Sequence, residues 1–127
     1  FINAQCSVNG DKVTLKVKDV EFEVPAGKAA KLKAGNYNGK TVVVGIRPED
    51  ITDVIDPSAK QAVLRAKITA SEMLGAEVFL YFDVDGAPMT ARVEPGTTRK
   101  MGDEVKFALD LNKIHVFDKE TTNVITN

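Results

Sequence analysis

Gly35-Asn36-Tyr37-Asn38-Gly39-Lys40-Thr41 sets two glycines, a lysine and a hydroxyl in an order close to that of a phosphate-cradling loop. Such a loop needs four residues between its glycines and a helix after them, so that successive N–H groups wrap the anion. Here three residues intervene, and the strand-like run Val42-Val43-Val44-Gly45-Ile46 follows. The segment reads as a turn before a strand. His115 is the single histidine, with no cluster of further ligands to join for metal binding. It stands between Ile114 and Val116 in an alternating run, on the face opposite them, as a structural or surface residue. Cys6 has no local electropositive group to lower its pKa and reads as a small buried or half-buried side chain. Neighbouring Ser7 lacks the glycines of a nucleophile elbow.

Carboxylates pair at Glu49/Asp50, Asp83/Asp85 and Asp103/Glu104. The second pair flanks a hairpin tip and the third follows Gly102, so both read as turn formers. Glycosidase-type catalysis needs two carboxyls across a cleft, which this spacing does not demand. Lys28, Lys31 and Lys33 form a basic cluster in a short Ala-rich segment that could touch phosphate, with Glu21 and Glu23 just upstream. A reader of single-stranded nucleic acid interleaves cations with exposed aromatic rings. Alternation puts Phe79 and Tyr81 on one face and Phe82 opposite, and core packing is the simpler role for most of these rings and for Phe107. Arg47-Pro48-Glu49-Asp50 is more informative. A strand that ends in a guanidinium and a Pro-acid turn places a bidentate donor at a rim, beside a carboxylate. The simpler reading is an ion pair that locks the turn. The functional reading is an interface or anion contact.

The elements that position these groups repeat with a period of two. Val13, Leu15 and Val17 alternate with Thr14, Lys16 and Lys18, after the turn signal Asn9-Gly10. Val20, Phe22 and Val24 share the next face, closed by Pro25-Ala26-Gly27. The run at 42–46 is apolar throughout, as in a strand covered on both faces, and stops at Arg47-Pro48. Glu49 to Lys60 is polar and reads as a loop or one helical turn, the best boundary between sub-lobes 1–56 and 57–127. Beyond it, Leu64, Ala66, Ile68 and Ala70 share one face, and Glu77–Val84 leads through Asp85-Gly86 into Pro88–Val93. Glu94-Pro95-Gly96 marks another turn, and Val105–Leu111 and His115–Phe117 follow, joined by Asn112-Lys113. Eight or nine short strands and no sizeable helix predict an all-β fold, a small barrel or sandwich.

Composition narrows the function classes. The 127 residues are 43% hydrophobic and 28% charged, which fits a soluble globular chain of one domain or two very small ones. One Cys and one His exclude an internal disulfide framework and a Cys/His zinc cluster. A net charge of −1, even along the chain, supplies no field to draw in nucleic acid or anionic lipid. No segment approaches the ~20 apolar residues of a membrane helix. The start, Phe1-Ile2-Asn3-Ala4, is no signal peptide, and its Phe in place of Met fits a piece of a longer protein. The lone Cys6 is compatible with a reducing cytoplasm.

Three motifs in order, VVVGIRPEDI at 42–51, SEMLGAEVFLYF at 71–82 and HVFDKETTNVI at 115–125, carry a resemblance along essentially the whole chain. The chain resembles the C-terminal domain of ATP-binding subunits of carbohydrate-import ABC transporters, of the maltose-importer type. Arg47, Pro48 and Glu49 match a G-x-R-P-E motif; Glu72, Leu74, Gly75 and Glu77 match E-x-L-G-x-E; Phe117 and Asp118 match a terminal F-D. The resemblance implies an OB-fold-like β-barrel with an accessory β-rich portion, non-catalytic, that joins two copies of the ATPase subunit. It also implies a docking face for a regulatory protein, around Arg47–Asp50 and Glu72–Glu77, and contact with membrane subunits through the parent. Such a parent would be a transport ATPase on the cytoplasmic face of the membrane, with ATP and Mg in a separate domain and no cofactor in this one. No nucleic acid partner is implied. The alternative is a small-oxyanion module of the molybdate or sulfate kind, because related small barrels cradle such anions. One departure is Thr122-Asn123 where the family commonly has Thr-Gly; Asn tolerates left-handed backbone, so the turn is expected to survive.

Overall fold

The computed structural model describes residues 1–56, 58, 60–94 and 100–127. Within them the chain forms eleven strands and one helix: β1 (Ile2–Asn9), β2 (Lys12–Val17), β3 (Val20–Glu23), α1 (Ala26–Ala34), β4 (Thr41–Gly45), β5 (Ile51–Thr52), β6 (Gln61–Leu74), β7 (Glu77–Val84), β8 (Ala87–Val93), β9 (Glu104–Asp110), β10 (His115–Asp118) and β11 (Val124–Thr126). The all-β expectation holds. The chain divides into two compact units, one made of Phe1–Gly45 with Leu111–Asn127, the other of Ile46–Asp110. It therefore divides at two points, after Gly45 and after Asp110, and not once after residue 56. The polar stretch that suggested the single boundary lies inside the second unit. The real crossing points fall in apolar runs, where composition does not change.

The first unit is a six-stranded sheet in the order β11-β10-β4-β1-β2-β3. β1 pairs antiparallel with β2, Asn9 opposite Lys12, so the two-residue turn is Gly10-Asp11 and not Asn9-Gly10. Gly10 takes φ +63, the left-handed first position that a tight hairpin of this kind requires. Ile2, Ala4 and Cys6 alternate inward against Val13, Leu15 and Val17, all 3% exposed or less. α1 was hidden in the sequence, where Pro25-Ala26-Gly27 reads as a terminator. Pro25 instead occupies the N-cap, and the good helix formers of AGKAAKLKA carry nine residues onward. Lys28, Ala29 and Leu32 form its buried face. The helix lies against both β2 and β11, which are far apart in the sheet order, so the sheet must curl around it.

The second unit is a five-stranded sheet, β5-β9-β6-β7-β8. Its edges β5 and β8 lie in contact, so this sheet also curls toward a barrel. Phe82 and Phe107 stack at its centre, centroids 4.0 Å apart and planes 3° apart, with exposures of 1% and 0%. The Asp85-Gly86 turn is as expected, with both residues at positive φ, the requirement of a type I′ hairpin. One strand departs from its pattern. The pairing of β6 with β7 shifts between Ile68 and Ala70, a bulge at Thr69. Ile68 stays in the core opposite Phe82, but Ala70 moves to the outer face opposite Tyr81, and 69–77 are exposed. Pro95 and Gly96 of the anticipated Glu94-Pro95-Gly96 turn lie outside the described residues.

Candidate functional site

The pseudo phosphate loop is spent on structure. The Asn36 and Tyr37 amides donate to the carbonyls of Lys33 and Leu32, Gly39 donates to Cys6, and Lys40 donates to Tyr37. These N–H groups are satisfied internally, leaving no nest for an anion. Cys6 is fully buried, and burial pushes its thiol pKa up, away from reactivity. His115 is half-buried opposite Gly45, its Nδ1 3.2 Å from Asn127 Oδ1. Asp85 and Asp103 serve turns, Asp103 Oδ2 accepting from the Lys100 amide at 3.1 Å. Phe79 and Tyr81 are half-exposed, so only Phe82 and Phe107 of that group are core.

The motif residues fall into two groups, one on each unit. On the second unit, a 3-10 turn at Pro48–Asp50 follows exposed Arg47 and leads into β5. The turn is closed by the Asp50 amide on the Arg47 carbonyl at 2.9 Å. No ion pair joins Arg47 to Glu49 or Asp50 among the described residues, so backbone geometry and Pro48 lock the turn instead. The β6–β7 hairpin closes over Gly75-Ala76, with Leu74 opposite Glu77 and Gly75 at φ +64. That glycine is a conformational requirement. Tyr81 Oη donates to Glu72 Oε1 at 3.0 Å, and Arg92 on β8 pairs with Glu77 at 3.3 Å. Where the edges β5 and β8 approach, a depression of about 670 Å³ opens, with Glu49, Thr52 and Val54 on one side and Glu77, Arg92 and Glu94 on the other. Glu49 and Glu77 come together here; Glu72 and Gly75 lie on the hairpin that borders it. Arg92 and Glu94 were not singled out from the sequence, although i, i+2 spacing on a strand puts both on one face.

On the first unit, Phe117 packs edge-on against Phe1, centroids 5.6 Å apart. Gly45, the glycine of G-x-R-P-E, is buried beneath them: an added Cβ would meet the Phe1 ring at 2.9 Å and the Phe117 ring at 3.1 Å. Asp118 organises the next turn. Its Oδ1 accepts from the amides of Glu120 and Thr121 at 2.9 and 3.0 Å, and its Oδ2 from Tyr37 Oη at 2.8 Å. The turn expected at Thr122-Asn123 forms, but Thr122 and not Asn123 takes the left-handed conformation, at φ +62. It is held by the Thr122 amide on the Asp118 carbonyl and the Asp118 amide on the Asn123 carbonyl. A cleft of about 250 Å³ beside this turn is lined by Tyr37, Lys40, Asp118 and Lys119.

These bonds set a pH signature. The Thr121 amide and Tyr37 hold the Asp118 carboxyl below the usual carboxylate range. A carboxyl depressed in the fold stabilises it above the unfolded pKa of about 3.9, and that contribution vanishes as pH falls through the folded value. The same contact raises the Tyr37 pKa, and the bond to Glu72 raises that of Tyr81. The chain has two tyrosines. An absorbance titration should therefore show both phenols ionising above the ordinary pH of about 10. Asp118→Asn should bring one back and Glu72→Gln the other; two unshifted phenols would disprove both contacts.

The MalK OB fold domain family matches residues 1–51, and the TOBE domain family matches residues 44–117. The chain belongs to the TOBE domain family. It is 39% identical over 109 residues to the oligosaccharides import ATP-binding protein MsmX of Bacillus subtilis, covering 84% of this chain and 30% of MsmX. It is 31% identical over 104 residues to the multiple sugar-binding transport ATP-binding protein MsmK of Streptococcus mutans, covering 80% of this chain and 28% of MsmK. The chain thus spans less than a third of the length of these relatives. Among solved structures, the cytoplasmic molybdate-binding protein ModG matches with a TM-score of 0.64 over 91% of this chain and 92% of that chain, at 14% identity. At that identity the likeness is one of fold alone. No helix among the described residues is long and apolar enough to cross a membrane.

Proposed function

We propose that this TOBE domain is the non-catalytic C-terminal part of an ATP-binding subunit of an ABC importer for sugars or related organic solutes. Its work is to hold two such subunits together while their nucleotide sites open and close. A persistent contact makes each re-closure intramolecular, which raises the effective concentration of one site for the other. The parent sits on the cytoplasmic side of the membrane against its membrane subunits, and carries ATP and Mg in a separate domain.

The observation that supports this reading is the depression at the β5–β8 seam. Arg47, at the head of the turn, and Glu49 and Glu94, on its walls, are exposed and form no ion pair among the described residues. Two-fold packing brings unlike residues of one patch face to face, so a cation beside unpaired carboxylates is self-complementary. The exposed hairpin residues Met73 and Leu74, 65% and 54% exposed, add apolar area beside it. The same rim, with Glu72, Gly75 and Asp50, is the docking face offered to a regulatory protein, and Phe117 and Asp118 form a second face on the other unit.

An antibody against this chain, used on extracts of the source cells with photo-labelling by an ATP analogue, tests the parentage. The expected result is a band well above 13.8 kDa that takes up label. An unlabelled band at 13.8 kDa would remove the reading.

A further inference from the structure

The cleft beside the Asp118 turn has a floor fixed by strands. Thr41 opens β4 opposite Gln5 of β1, and Asp118 closes β10 opposite Val42 of β4. Lys40 is held at both ends of its backbone: its amide donates to the Tyr37 carbonyl at 3.0 Å, and its carbonyl accepts from the Cys6 amide at 2.8 Å. Tyr37 is pinned by its hydroxyl on Asp118 at 2.8 Å, and its ring lies so close to Gly35 that a Cβ there would collide with it. In the same turn Thr122, a β-branched residue, is held at φ +62, a strain of the kind found at ligand clamps. The lining groups are therefore positioned before any ligand arrives, which lowers the cost of binding one.

The chemistry of the lining narrows the ligand. Lys40, Thr41, Lys119 and Glu120 are exposed. Among the described residues the two ammoniums and the Glu120 carboxylate form no ion pair. Lys40 Nζ stands over the Tyr37 ring, 5.8 Å from its centroid, near the outer limit of a cation–π contact. Donors and acceptors thus surround one aromatic ring: the ammoniums donate, the Glu120 carboxylate accepts, and the Thr41 hydroxyl does either. Lys40 and Lys119 balance Asp118 and Glu120 in formal charge. The Tyr37 and Lys40 amides are spent on backbone carbonyls and the Glu120 amide on Asp118, so no backbone cradle faces an anion. A neutral ring with C–H faces and a rim of hydroxyls matches this mixture, its apolar face on Tyr37. At about 250 Å³ the cleft is smaller than the ~300–1,000 Å³ of sites for drug-sized ligands, which sets its capacity at one such ring.

We propose that this cleft binds a single neutral monosaccharide, seated against Tyr37 with its hydroxyls on Lys40, Thr41, Lys119 and Glu120. The site lies wholly in the first unit and does not rest on the tethering role, so either reading can fail while the other stands.

Amide resonances of Lys40, Thr41, Lys119 and Glu120 in the 127-residue chain test it at pH 7. The probes are glucose, galactose, mannose and N-acetylglucosamine, with ethylene glycol at matched hydroxyl concentration and inorganic phosphate as comparisons. At least one of the sugars should shift these amides saturably, and ethylene glycol should not. Lys40→Ala should weaken that binding about tenfold, the loss of one charge-assisted hydrogen bond. Glu120→Ala should weaken it in the same direction, whereas an anion would bind more tightly once that carboxylate is gone. Both positions are exposed, so the fold should survive either change, and Lys12→Ala on β2 should leave binding unchanged. Three results would overturn the proposal: shifts that ethylene glycol reproduces, no saturation by any of the four sugars, or saturation by phosphate alone that Glu120→Ala strengthens. Sugar binding indifferent to both Lys40→Ala and Glu120→Ala would overturn it as well, by placing the sugar elsewhere.

Discussion

Phe82→Ala should destabilise the second unit by about 3–5 kcal/mol, the cost of removing a large buried side chain and leaving a partly collapsed cavity. Phe82 is 1% exposed and stacked on Phe107. The two rings come from β7 and β9, the strands on either side of β6, so together they bridge the inner face of the curled sheet. Aromatic pairs add about 0.5–1.5 kcal/mol beyond their area burial. A double-mutant cycle with Phe107→Ala should therefore show that the two losses do not add. Phe79→Ala, three positions earlier on the same strand but half-exposed on the outer face, should cost far less. Denaturant unfolding checks all three. Equal losses at Phe79 and Phe82 would mean that β7 is paired in a different register.

The second large effect concerns association. Arg47→Glu in the parent subunit should weaken its nucleotide-free self-association by about tenfold or more, which corresponds to about 1.4 kcal/mol. The change sets a fifth carboxylate among Glu49, Glu77, Glu94 and Asp50, and like charges at an interface core oppose docking. Glu49→Arg or Glu72→Arg alone should also weaken it, while Arg47→Glu with Glu49→Arg should recover part of the loss. All are exposed or half-exposed positions, so stability of the fold should move by no more than about 0.5 kcal/mol. Sedimentation equilibrium at two salt concentrations reads the effect. Indifference to reversals at Arg47, Glu49 and Glu72 alike would remove this face from the assignment.

Much of this architecture was legible residue by residue. β2, β3, β7 and β8 announce themselves because one face of each is buried and the other wet, which writes hydrophobicity with a period of two. Asp85-Gly86 fixed its hairpin because few residues accept two positive φ angles in succession. α1 escaped because its buried face includes a lysine, which breaks the apolar stripe, and because Pro-Ala-Gly ends elements as often as it begins them. The bulge at Thr69 escaped for a different reason. The alternation Leu64, Ala66, Ile68, Ala70 runs straight through it, and only the pairing with β7 reveals that the last of these has turned outward.

The site shows the same limit. Short motifs pointed to Glu49 and Glu77, but the curl of the sheet brings β5 beside β8, and no local pattern encodes a contact between sheet edges. Arg92 and Glu94 enter the depression for that reason alone. Asp118 was found by its motif, whereas its partner Tyr37 was lost inside a segment that resembled a phosphate loop. Gly45 makes the point in reverse. Its place in the motif has a packing cause, the room it leaves for Phe1 and Phe117.

In the proposed role, this domain holds two ATP-binding subunits together when nucleotide does not. Sedimentation equilibrium of the nucleotide-free parent, with and without residues 1–127, addresses it most directly. The complete subunit should be a dimer and the shortened one a monomer, with ATP-driven dimerisation of the shortened form still measurable. A shortened subunit that remained dimeric without nucleotide, at an unchanged dissociation constant, would contradict it.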